Sequence, residues 1–142
     1  MSNRSQSSTP ADQEPQQPIA NYSVSGGFLN LLNTLNVSVA ATSYQSGRLY
    51  LLGRNPKGGL MVNEQFFQKA MGLHYDGKTL VLATLANIYR MQNILREKEV
   101  MDGQFTECFV PRTAHLTGVL DAHDVGLAPS GEILFVNTRY NC

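Results

Sequence analysis

The segment HLTGVLDAHDVG, residues 115 to 126, places two histidines and two aspartates within ten positions. An imidazole beside a carboxylate can share a divalent cation, or the carboxylate can orient the ring for proton transfer, because both tasks need a switchable nitrogen beside a fixed oxygen. His115, Asp121, His123 and Asp124 are therefore the candidate ligand or metal residues. A strand over residues 121 to 128 sends Asp121, His123, Val125 and Leu127 to one face and Asp124 to the other, so the four do not all converge. The competing reading is structural: His and Asp at the mouth of such a strand tie neighbouring elements together through backbone groups that otherwise lack partners. His115 follows VPRTA on an expected loop, either folded over the same mouth or simply hydrated.

Arg112 and Arg139 are candidate anion contacts, since guanidinium presents a planar fork of donors; ion pairing between neighbours or plain solvation is the alternative. His74 precedes an Asp76-Gly77 turn and is expected at the surface. The chain contains no G-x-S-x-G elbow and no H-E-x-x-H pair. NPKGGL, residues 55 to 60, lacks the strand-to-helix context of a phosphate loop and reads as a surface turn.

Eleven basic and eleven acidic residues cancel over 142 positions, so no long-range field attracts nucleic acid or an anionic membrane. No apolar run is long enough for a spanning helix, and the first ten residues lack the apolar core of a secretory signal, so a cytoplasmic protein is expected. Cys108 and Cys142 are too few for a disulfide framework and too far apart for a zinc knuckle.

Residues 1 to 20 are poor in apolar side chains and rich in Ser, Gln and Pro, the composition of a disordered tail. Within residues 21 to 36, GGFLNLLNTLN sets Phe28, Leu31, Leu32 and Leu35 at spacings of three and four, which predicts a short amphipathic helix. From residue 37 to 142 the period shortens, and apolar runs are punctuated by glycine turns as in an all-β protein.

Three stretches share one design of strand, glycine turn and strand: VSVAATSYQSGRLYLLG, AMGLHYDGKTLVLAT and DVGLAPSGEILFVNT. Gly47, Gly77 and Gly131 occupy turn positions that call for positive φ. Residues 72 to 84 lie over residues 126 to 138 without a gap, matching Gly72 with Gly126, Leu82 with Val136 and Thr84 with Thr138. NIYRMQ reads as a third strand, NILREKEVMDG as a charged excursion, and QFTECFVPR as a fourth strand ended by Pro111. A β-propeller blade of four strands takes roughly 40 to 50 residues, so the chain has material for two to three blades. A ring cut after so few units leaves its last blade with an uncovered apolar face, which favours self-association.

VAATSYQSGRLYLLG, KAMGLHYDGKTLVLATLANIYRMQN, VPRTAHLTGVLDAHDVG and GEILFVNTRYNC together resemble the front portion of a bacterial conserved hypothetical family, from Phe28 to the last residue. The resemblance implies a β-propeller without an established activity, and members longer than this chain. HDVGLAPSGEILFVNT is more loosely similar to the inner hairpin of NHL-type repeats and of gluconolactonase-like propellers, whose tunnel holds calcium through Glu, Asn and Asp from several blades. None of those ligands transfers residue by residue, because the likeness is one of repeat and fold.

The expectation is an all-β, partial β-propeller preceded by a short helix and a disordered tail, acting as a truncated binding or scaffold domain for an unspecified ligand or protein. The rivals are a lactonase- or esterase-like hydrolase using Asp121, His123 and Asp124 around a divalent cation such as calcium, and a gene fragment without function. Neither nucleic acid nor membrane is an expected partner.

Overall fold

The computed structural model describes residues 21 to 141; the expected tail at residues 1 to 20, and Cys142, lie outside the described residues. Helix α1 (Gly26–Leu35) is followed by nine strands: β1 (Val39–Ser43), β2 (Arg48–Arg54), β3 (Leu60–Phe66), β4 (Leu73–Tyr75), β5 (Thr79–Ala83), β6 (Asn87–Asn93), β7 (Phe109–Leu116), β8 (Val125–Leu127) and β9 (Ile133–Phe135). They form three open antiparallel sheets in chain order, β1-β2-β3, β4-β5-β6-β7 and β8-β9. Among the described residues the protein is thus mostly β with one short helix.

The helix starts where the Ser25 hydroxyl accepts the Phe28 amide at 3.2 Å and stops at Asn36, which turns left-handed at φ 51°. Only part of its expected stripe is used. Leu32 is fully buried, whereas Leu31 and Leu35 are 51% and 58% exposed. Arg54 of β2 holds the helix end through the side chains of Asn33 and Asn36, so polar clamps replace the wider apolar seam that the spacing predicts.

The second sheet explains the architecture. Every residue of β5 is buried, because alternate side chains meet different neighbours. Leu80 and Leu82 join Leu49, Phe67, Ala70 and Met91 in a core against the first sheet. Val81 and Ala83 join Ile88, Ala122 and Val125 in a second core against the third sheet, with Leu127 and Ile133 packed beside them. The sheets therefore pack face on face in sequence, the middle one covered on both sides.

Two connections enter these cores in the same way. Lys69 (φ 51°) precedes fully buried Ala70 and leads into β4, while Asp121 (φ 50°) precedes Ala122, 3% exposed, and leads into β8. Gly72, just before β4, lies against the third sheet so closely that an added Cβ would sit 2.9 Å from the Asp124 backbone. The turn glycines behave as expected, with Gly47, Gly77 and Gly131 at φ 60°, 95° and 86°.

Three sequence expectations are corrected. The gapless match of Leu82 with Val136 does not hold in the ladder. Leu73 pairs with Leu82 and Tyr75 with Leu80, but Val125 pairs with Phe135 and Leu127 with Ile133. The turn of the third sheet is one residue longer, and a shift of one reverses the faces. Val81 thus corresponds to Leu134. Pro111 does not end the fourth strand; it lies inside β7, where the register shifts opposite Arg90 and Met91 and Arg112 is the extra residue. Residues 121 to 124 are a loop before β8 and not the start of a strand, because left-handed Asp121 breaks the extended path.

Candidate functional site

The sequence-predicted residues scatter over three places. His115 is on β7 opposite Ile88, exposed on a strand and not on a loop. Arg112 is exposed at the β7 bulge. Arg139 follows β9, its amide donating to the Leu120 carbonyl at 3.2 Å and its guanidinium 6.0 Å from the Tyr140 ring centroid.

Asp121, His123 and Asp124 are neighbours in one loop, yet their groups do different work. The Asp121 carbonyl accepts the His123 amide at 2.9 Å and the Thr138 hydroxyl at 2.6 Å, closing the turn that carries Ala122 into the core. The Asp124 carboxylate accepts the Val125 amide, its carbonyl accepts the Val136 amide at 3.0 Å, and its backbone receives Gly72. The contacts to other segments are made by the backbone of Asp121 and Asp124, and the Asp124 carboxylate bonds only the amide of the next residue. Among the described residues no three His, Cys, Asp or Glu side chains come together to hold a metal. The donor set does not fit the calcium expected of a lactonase-like tunnel, which needs several oxygen ligands converging on one point.

The His123 side chain does converge with others, which the sequence did not flag. Its ring lies 5.9 Å from the Tyr44 ring, tilted by 30°. The Lys69 ammonium lies 5.2 Å from the same Tyr44 centroid. Three separate segments meet here: the β1–β2 turn, the β3–β4 connection and the β7–β8 connection. The Thr42 hydroxyl donates to the Met71 carbonyl at 2.6 Å and pins the first two together. A phenol, an ammonium and an imidazole around one exposed rim can contact a planar or polar ligand. No local signal marks Tyr44 or Lys69, since the cluster exists only once the sheets stack.

Arg90 is the other residue that sequence reasoning missed. Its Nη2 donates to the Gly131 carbonyl and links β6 to the third sheet, while its buried Nε has no hydrogen-bond partner. An arginine flanked by Tyr89 and Met91 inside NIYRMQ was the available signal.

The perturbed titrating groups lie elsewhere. The amides of Thr79 and Lys78 hold the Asp76 carboxyl below its usual range. Burial and a hydrogen bond to Glu107 push Tyr75 up to about 12. A hydrogen bond to Glu64 pushes Tyr22 up to about 12. Neither tyrosine adjoins the Tyr44 cluster in sequence or contact.

A family model described as Domain of unknown function (DUF4915) matches residues 26–142. No curated protein and no solved structure matches the chain.

Proposed function

The chain belongs to the DUF4915 family of domains of unknown function, and we propose that it is a propeller-type binding or scaffold domain, a part of a ring of sheets stacked about one axis. The observation that carries this reading is the recurrence of one junction. A left-handed residue, a buried alanine and the first strand of a new sheet occur at Lys69-Ala70-β4 and again at Asp121-Ala122-β8, each alanine plugging the core between successive sheets. The approach of Gly72 to Asp124 sets the starts of β4 and β8 side by side, as the innermost strands of neighbouring blades would be. The outer face of the third sheet, with Leu134 58% and Val136 51% exposed, is then the surface on which the next sheet of the ring packs.

In this reading the Tyr44, Lys69 and His123 rim is the ligand contact, and Asp121 and Asp124 are structural. Among the described residues no three His, Cys, Asp or Glu side chains converge in support of the hydrolase reading. The test is a crystal structure of the chain. The expected result is that the rotation carrying β4-β5 onto β8-β9 also carries β1-β2-β3 onto β5-β6-β7, about a common axis. Two unrelated rotations, as in a two-layer sandwich, would refute the proposal.

A further inference from the structure

The chain carries two Asp-Gly pairs, Asp76-Gly77 and Asp102-Gly103, each exposed in a tight turn. In such a pair the glycine nitrogen can attack the neighbouring side-chain carboxyl carbon, because glycine has no side chain to crowd the approach. The two turns treat that carboxyl differently.

Asp76 connects β4 to β5 inside the second sheet, just beyond the pairing of Tyr75 with Leu80. Its Oδ1 accepts the Lys78 amide at 2.8 Å and the Thr79 amide at 2.6 Å, and its own amide donates to the Thr79 carbonyl at 3.3 Å. Bonds from the following amides hold the carboxyl in place. The same amides, Thr79 foremost, keep it ionised below its usual range, and a carboxylate parts with an oxygen less readily than a carboxylic acid does.

Asp102 lies in the excursion between β6 and β7, outside the three sheets. Its turn is closed by one isolated pairing, in which the Met101 and Phe105 amides each donate to the other's carbonyl at 2.9 Å. Asp102 and Gly103 are both left-handed, at φ 50° and 68°, a conformation that costs aspartate more than glycine. Among the described residues no hydrogen bond or ion pair holds the Asp102 carboxylate. A lone two-stranded turn opens more readily than one built into a four-stranded sheet, so backbone strain, local freedom and an unheld carboxyl coincide at this pair.

We propose that Asp102-Gly103 is a site of spontaneous isoaspartate formation, and that the fold protects Asp76-Gly77 from the same reaction. The Gly103 nitrogen bonds to the Asp102 side-chain carboxyl carbon and gives up its proton, the carboxyl oxygen leaves as water, and a succinimide ring closes. Water then adds to a ring carbonyl. When the ring opens between the main-chain carbonyl and the nitrogen, the chain continues through the Asp102 side chain as isoaspartate. Water is the only co-reactant. The product inserts a methylene into the main chain, so the turn no longer fits between Met101 and Phe105. This inference stands apart from the propeller reading and survives or falls without it.

The test is prolonged warm incubation of the folded chain at neutral pH, followed by peptide mapping with fragment ions that distinguish isoaspartate from aspartate. Conversion at Asp102 is expected to exceed that at Asp76 by at least about fivefold in the folded chain, and the two should agree within about twofold in urea, where local structure is lost. Asp102→Glu sets the carboxyl one carbon further from the nitrogen and is expected to remove the signal at that position. No conversion at Asp102, conversion at Asp76 equal to or above it in the folded chain, or an undiminished preference for Asp102 in urea would overturn the proposal.

Discussion

The second and third sheets begin alike and end differently. Both open with a buried alanine and a three-residue strand, and both turn at a positive-φ glycine. In the second sheet Val81 and Ala83 are fully buried, because the third sheet covers them. In the third sheet Leu134, the ladder equivalent of Val81, is 58% exposed, and Val136 beyond it is 51% exposed. The same apolar design is core in one place and surface in the other. What differs is the neighbour, so a side chain's contribution to stability here is set by position in the stack.

That contrast can be broken by substitution. Leu82→Ala removes a fully buried side chain between two sheets and should cost about 2–5 kcal/mol in urea unfolding, whereas Val136→Ala should stay within about 0.5 kcal/mol. Equal costs would erase the distinction between the faces. Next in size are the glycines. Gly72→Ala forces a Cβ into the Asp124 backbone and should lower the melting temperature by several degrees, while Gly126→Ala meets nothing within 4 Å and should change it little.

The turns sharpen the comparison through pH. Asp76 ionises more readily folded than unfolded, so its contribution is present above the ordinary carboxylate range and fades as pH falls through the lowered folded value. Asp76→Asn should remove that share of the acid sensitivity, seen as a flatter dependence of melting temperature on pH below about 4. The smallest effect is alkaline. With its ionisation pushed up to about 12, Tyr75 favours the folded chain below about 10, and that contribution is lost as pH rises from there toward 12. Absorbance titration should show Tyr75→Phe removing a late-ionising phenol, and Glu107→Gln should move that phenol earlier.

Much of this fold was legible locally. The turn glycines and the strand in NIYRMQ follow from short-range chemistry that each segment carries by itself. Long-range terms set the rest. The register of β9 depends on a turn one residue longer than its counterpart, and a pattern match without gaps cannot register that. Pro111 could sit inside β7 because that strand is an edge with a bulge. The helix stripe overstated burial, since Leu31 and Leu35 have no sheet beneath them. For the candidate site, the charged and imidazole residues at 121 to 124 stand out in sequence, and of them His123 meets the Tyr44 ring. Tyr44 and Lys69 come from segments 25 residues apart that meet through stacking.

The central claim is that, among the described residues, no sheet covers the outer face of β9 as the third sheet covers the matching face of β5. Hydroxyl-radical footprinting reads it directly as side-chain oxidation in the folded chain at low protein concentration. The account predicts rapid labelling of Leu134 and Val136 with Val81 left unmodified until the chain unfolds. Protection of Leu134 and Val136 equal to that of Val81 would contradict it.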